Sequence, residues 1–151
     1  MSRKFEVVSY YEDKEINLPK RATINSAGYD LEAASPETIN PGQVTYIPTG
    51  LKVSMNPGEV LQIYPRSSVA TKYMVTLPNN VGIVDQDYYD NIDNEGHILV
   101  PLVNLGKDPF VVNKGDRIAQ AIFTRYLTVD NEEEINSVRT GGFGSTNKSD
   151  C

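Results

Sequence analysis

Short apolar runs in this chain end again and again at Gly, Pro or Asn, and almost nowhere do apolar residues recur at helical spacing for three turns. A chain punctuated so often cannot sustain ordinary helices, and it reads as all-β. The candidate strands are Phe5 to Tyr10, Val44 to Ile47, Leu51 to Met55, Val60 to Tyr64, Ile98 to Val103, Phe110 to Val112 and Arg117 to Leu127. Turn chemistry separates them at Pro41-Gly42, Thr49-Gly50, Asn56-Pro57-Gly58, Leu105 to Asp108 and Asn113 to Asp116. Strands this short and evenly spaced suit a sandwich, barrel or jelly roll. One segment departs from the pattern: Ser67 to Tyr73 follows Pro65-Arg66 and opens with two serines able to cap a short helix.

Length and charge narrow the function classes. A domain of 151 residues buries roughly 68–70% of its unfolded surface and needs no disulfide. Its one cysteine, Cys151, has no partner in the chain, and Cys151 with the one histidine, His97, cannot furnish a zinc site of nitrogen and sulfur ligands. A metal working here is a hard cation on oxygens. With 14 basic residues against 20 acidic and a net charge of −6, the chain lacks the basic stripe that polymeric DNA or RNA demands. Met1 to Glu6 meets a carboxylate before any apolar run, so no signal peptide is expected. The longest apolar stretch, Ile98 to Val103, is too short to span a bilayer and contains Pro101. The expectation is a cytoplasmic protein without a membrane partner.

The tail has its own composition. Four carboxylates stand between Asp130 and Glu134, and Arg139 to Asp150 is Gly, Ser, Thr and Asn around one aromatic, Phe143. Such a segment packs no core of its own. It reads either as a disordered terminus or as a strap in which glycines and hydroxyls wrap a phosphate while the aromatic stacks on a base.

Five short segments carry chemistry. In Ala27-Gly28-Tyr29-Asp30-Leu31 a carboxylate follows a glycine, as a turn cap or a ligand. Pro65-Arg66-Ser67-Ser68 offers a guanidinium and two hydroxyls at a helix start, where capping and anion binding both fit. Gly82 to Tyr88, preceded by Asn79-Asn80, brings Asp85, Asp87 and Tyr88 into one stretch, suited to metal or proton-transfer chemistry or to an acidic surface turn. Gly115 to Gln120 is a turn entering a strand with one polar position, Gln120, and Arg139 to Thr146 is the glycine-rich strap.

In order and spacing these segments, from Ser26 to Thr146, resemble the five motifs of the homotrimeric dUTPase family. The resemblance implies a distorted jelly-roll or β-barrel with one short helix and a flexible C-terminal arm, residues 1–132 forming the catalytic domain and 133–151 the arm that closes over a neighbouring subunit's active site. It implies hydrolysis of dUTP to dUMP and pyrophosphate with Mg2+ in a homotrimer with shared sites. By the same resemblance, Asp85 orients and deprotonates the attacking water, Gln120 holds the α-phosphate or that water, and Asp30 supports Mg2+ through a coordinated water. Ser67 and its neighbour Ser68 lie against the phosphates, and Arg66 pairs with acidic groups beside them. Asn79 and the backbone from Gly82 to Val84 read the uracil edge, and Tyr88 packs under the deoxyribose and excludes a 2′-hydroxyl. Phe143 stacks on the base, while Gly144, Ser145, Thr146 and Arg139 belong to the grip on the γ-phosphate.

The chain departs from the family pattern at several points. Ser68 and Asn147 stand where glycine is common, Tyr89-Asp90 replaces Arg-Gly, the stretch to Gly96 is several residues longer, and Arg139 is one residue nearer Phe143. Two other classes bear on the same residues. dCTP deaminase shares an Arg-Ser-Ser segment but lacks the strap and needs a catalytic glutamate after the third motif, where Glu95 is the nearby candidate. A dUTPase-like regulator would present a loop such as Asp90 to Glu95 to a protein partner.

Overall fold

The computed structural model describes residues 2–146, so Asn147 and Cys151 lie outside the described residues. It is built from twelve strands, β1 (Lys4–Val7), β2 (Lys20–Arg21), β3 (Tyr29–Glu32), β4 (Glu37–Ile39), β5 (Val44–Pro48), β6 (Leu51–Ser54), β7 (Glu59–Pro65), β8 (Val75–Thr76), β9 (Gly82–Val84), β10 (Leu99–Asn104), β11 (Phe110–Val112) and β12 (Arg117–Arg125), with one α-helix, α1 (Ser67–Tyr73). Two 3-10 turns, Ser9–Tyr11 and Gln86–Tyr88, complete it. The largest sheet runs β2-β3-β12-β7-β9, and smaller sheets pair β5-β10-β8, β1-β6 and β11-β4. All named strand pairs are antiparallel. Among the described residues the strands form separate sheets and close no barrel, which corrects the barrel half of the expectation while bearing out the all-β class and the single short helix.

The alternation that signals a half-buried strand is clearest in β10, where Val100, Leu102 and Asn104 are buried and the residues between them are half-buried. Pro101 sits opposite Tyr46 of β5, on the part of β10 that β8 does not reach, so its missing N–H removes little from the ladder. Asn104, fully buried, donates to the carbonyls of Ile39 and Asp108 and accepts from Gly106 N–H. That leaves no buried polar cost at the strand end. The core gathers Leu31, Ile39, Ile47, Leu61, Leu77 and Leu102 between the sheets.

Helix α1 begins as expected but not for the expected reason. Arg66 occupies the N-cap position without a side-chain cap bond, and Ser67 and Ser68 are exposed in the first turn. The two hydroxyls are therefore not spent on the helix. Met74 ends it in the left-handed region at φ 58°, its N–H returning to Ala70. The first expected strand also stops early, at Val7, where Ser9–Tyr11 coils into a 3-10 turn.

Candidate active site

Strand β9 is the last strand of the large sheet, so its ladder with β7 uses only one of its two backbone edges. With Asn79 it lines a cavity of about 290 Å³ that Ile98 to Pro101, Asp85, Tyr88, Arg139, Gly142 and Phe143 also line. A space of this size is at the small end of ligand sites, suited to a base and a sugar. Ahead of β9 the chain doubles back at Asn80, which adopts φ 65°.

Asp85 leads into the 3-10 turn Gln86–Tyr88, and its carboxylate is half exposed. Arg139 crosses to it: Nη2 donates to Asp85 at 2.6 Å, Nε to Asp87 at 2.7 Å and Nη1 to the Gly141 carbonyl at 3.2 Å. In the single chain this guanidinium thus faces carboxylates, and its two acidic partners are the pair that the third motif brings together. Tyr88 is 7% exposed. Burial raises its phenol above the ordinary tyrosine value, against opposing effects of the Asn94 hydrogen bond and the Arg139 charge. Gly142 lies against the ring so closely that a Cβ there would stand 2.7 Å from the ring carbon Cε2. Phe143, at φ 49°, presents its ring edge-on to Tyr46 at 5.2 Å and leaves it largely exposed. Ser145 N–H folds back to the Gly142 carbonyl, and Gly144, Ser145 and Thr146 are exposed.

The remaining expected residues form a second cluster. Register places Gln120 of β12 opposite Asp30 of β3 on one side and Tyr64 of β7 on the other. Asp30 pairs with Arg66 at 3.3 Å and with Arg117 at 3.6 Å. Gln120 donates to the Pro65 carbonyl, and a Cβ on Gly28 would approach its Oε1 to 2.5 Å, so a larger residue there would have to push the Gln120 amide aside. Asp30, Arg66, Ser67, Ser68 and Gln120 do not line the cavity of Asp85 and Tyr88. The single chain therefore holds two half-sites: one with a cavity, and one with cations, hydroxyls and an amide.

Several neighbours were not singled out from the sequence. Arg117 directly follows the Gly-Asp turn and its charge next to a core strand was a readable signal, whereas Tyr46 looks like any outward residue of an alternating strand. The segment after Tyr88 is also structured: Lys52 binds Asp90 at 2.6 Å and Glu95 at 2.8 Å, and Glu95 also accepts from Ser9. These contacts hold the Glu95 carboxyl below the ordinary value, the Lys52 bond first among them. Glu95 does not line the cavity, and its carboxylate is taken up by Lys52 and Ser9. Among the described residues no group of three His, Cys, Asp or Glu side chains could cage a metal, and no helix is long and apolar enough to cross a membrane.

Residues 14–147 match the family model for dUTPase. The chain is 48% identical over 145 residues to the deoxyuridine 5′-triphosphate nucleotidohydrolase of Lactococcus lactis, covering 95% of this chain and 97% of that protein. Its structure superimposes on the dUTPase of Streptococcus mutans with a TM-score of 0.80 at 41% identity, over 85% of this chain and 99% of that one. A variant dUTPase of S. aureus phage phi11, described with a structural Mg(II) ion, shares the fold at 18% identity with a TM-score of 0.72 over 91% of this chain and 98% of that one. With the family model spanning most of its length and a relative 48% identical over nearly all of it, the chain belongs to the dUTPase family.

Proposed function

We propose that this protein hydrolyses dUTP to dUMP and pyrophosphate. The observation that carries the reading is the cavity where the backbone edge of β9, Asp85, Tyr88 and the arm residues Arg139 and Phe143 meet. Gly82 to Val84, with one backbone edge free of the sheet, supply donors and acceptors to a uracil edge, and Asn79 adds an amide. Tyr88, fixed and buried, forms a wall under the deoxyribose where a 2′-hydroxyl has no room. Asp85, half exposed, holds a water in line with the α-phosphorus and takes its proton. Ser67, Ser68 and Gln120 contact the phosphates, and the positive charge of Arg66 is kept in position by Asp30. The arm adds Phe143 over the base and Gly144, Ser145, Thr146 and Arg139 toward the γ-phosphate. Arg139 exchanges its carboxylate partners for phosphate oxygens when the nucleotide enters.

Mg2+ fits this donor set in one way. A protein cage is ruled out among the described residues, and Asp30 already shares its charge with two guanidiniums. A cation held mostly by the triphosphate and by water, with Asp30 reaching it through one of those waters, agrees with the reluctance of Mg2+ to shed its hydration. When bound it neutralises charge on the phosphates.

The separation of the two half-sites supports a homotrimer in which one chain's cavity faces another chain's phosphate cluster. Outward-facing Val44, Tyr46, Ile83 and Val111 supply apolar area for such contacts. Residues 133–151 then serve as an arm exchanged between subunits, and the assembly works in the cytoplasm. Pyrophosphate release from dUTP, with and without Mg2+, set beside dTTP, UTP and dCTP, tests the activity. Turnover confined to dUTP and stimulated by Mg2+ is expected, and equal turnover of dTTP or UTP would overturn the base and sugar assignments.

A further inference from the structure

The lengthened segment between Tyr88 and Ile98 is the part of the sequence that the reaction leaves without a role, and its contacts converge on one atom. The Tyr88 hydroxyl donates to the His97 carbonyl at 2.7 Å and accepts from Asn94 Nδ2 at 2.8 Å. Both partners come from this loop. Asn94 is itself locked, its Oδ1 accepting from Asn91 Nδ2 at 2.8 Å and from Gly96 N–H at 3.1 Å. Asn91, buried, donates also to the Tyr88 carbonyl and accepts the N–H groups of Asp93 and Asn94. Gly96 permits the approach: at φ 83° a Cβ would lie 2.7 Å from the Tyr88 carbonyl. The loop is tied to the body by Lys52 on Asp90 and Glu95, and by the Tyr89 hydroxyl on Glu6 at 2.6 Å.

We infer that Asn94 is a positioning residue for sugar selection: through the Tyr88 hydroxyl it fixes the plane of the ring that the deoxyribose meets. This rests on the reading of Tyr88 as the wall against the 2′-hydroxyl. A steric wall discriminates only as far as it refuses to move, and a ring held at its far end by a donor and an acceptor of fixed position cannot pivot about its χ angles without breaking one of them. Asp93 N–H also reaches the Thr140 carbonyl at 3.2 Å, so the same loop abuts the arm.

The experiment is the ratio of kcat/KM for dUTP to that for UTP, with Mg2+, in the full-length protein. Asn94→Asp keeps an oxygen for Asn91 and Gly96 but removes the donor to Tyr88, whose single hydroxyl proton then faces two acceptors and can satisfy only one. The ratio should fall roughly five- to tenfold, the worth of one side-chain hydrogen bond. Tyr88→Phe, which leaves the loop's own bonds intact, should lower it in the same direction, and the double variant should be no worse than the more affected single one. General loosening of the fold slows both substrates together and leaves the ratio unmoved, so the ratio separates positioning from mere stability. If Tyr88→Ala relaxes selection while Asn94→Asp leaves the ratio at its original value, the inference fails alone. If Tyr88→Ala also leaves it unchanged, the sugar-wall reading fails with it. Additive effects in the double variant would show Asn94 acting by another route and would also overturn the inference.

Discussion

Residues 89–96 and residues 130–146 both lack strands and helices, yet they are opposite kinds of irregular chain. In the first, Asn91, Asn94, Asp90 and Glu95 each turn a side chain inward to a backbone group or a cation, and the large side chain left facing solvent is Ile92, 85% exposed. In the second, Ile135 and Val138 lie exposed, and attachment begins only at Arg139. Short polar side chains can replace the hydrogen bonds that regular structure would have made, and so fix an irregular segment in place. Exposed aliphatic side chains in the arm do the reverse: they leave it held by a few contacts and ready for another surface. The proposed site asks for a rigid wall from the first segment and a movable cover from the second.

The residue between them should show the largest effect. Asp85 closes the strand that leads to the fixed loop and is also the carboxylate on which the arm's Arg139 rests. Asp85→Asn should slow pyrophosphate release roughly 10²–10⁴-fold, the usual contribution of a positioned acid or base, while equilibrium titration with a non-hydrolysable dUTP analogue still detects binding. Unchanged turnover would remove Asp85 from the chemistry and leave it a mere arm contact.

The arm comes next. Deleting residues 139–151 should cost roughly 10- to 100-fold in kcat/KM, the scale of one base-stacking contact, and leave the melting temperature unaltered. Mixing the truncated chain with Asp85→Asn chains, after subunit exchange, separates two geometries. Arms acting between subunits restore turnover, because an intact arm from one chain covers the competent cavity of another. Arms acting only on their own cavity, as Arg139 does in the single chain, restore none.

How far the sequence reveals this division differs between the two segments. Of the arm, composition alone, glycines and hydroxyls around Phe143, excludes a core and leaves either a free terminus or a strap. The third motif was legible because Gly82 to Tyr88 is contiguous and the acids sit within it. The loop's role was not, since asparagines at positions 91 and 94 spell a turn in any protein, and their convergence on one phenol depends on backbone directions that no spacing encodes. Strands β2, β3, β4, β8 and β9 were not among the expected strands for a related reason: two to four residues, paired only by tertiary register, give no alternation to count. The capping role expected for Ser67 and Ser68 failed because Arg66 took the N-cap position. The separation of Asp30 and Gln120 from Asp85 was equally out of reach, being a matter of the strand order of the large sheet, in which β3 and β12 lie inside and β9 at the edge.

Stability sharpens the contrast. Asn91→Ala removes both the donor to the Tyr88 carbonyl and the acceptor of two backbone N–H groups in a buried setting, which should cost about 1–2 kcal/mol. For a chain of this size that lowers the melting temperature by roughly 2–8 °C. Val138→Ala, at a position 87% exposed, should leave it unmoved. Equal shifts in the two variants would erase the distinction between a fixed and a free segment.

The smallest effect is a pH dependence confined to the fixed segment. His97 ends the loop with its ring packed near Tyr11, and its Nε2 accepts the Gly50 N–H at 2.9 Å, which requires the neutral form. Burial lowers its pKa from 6.5, while the nearby Glu95 charge acts in the opposite sense. Protonation is therefore easier in the unfolded chain than in the fold. The stabilisation is complete above the unfolded value near 6.5 and is lost as pH falls toward and through the lower folded value. Thermal unfolding followed from pH 8 to pH 5 should show a modest decline beginning near 6.5. His97→Gln, whose amide oxygen can accept the same N–H without gaining a proton, should flatten the curve in that window. The paired carboxylates Glu6 and Glu95 have pKa values below 4.5, so their loss of stability comes only at lower pH. A decline that persists unchanged in His97→Gln would assign it to other groups.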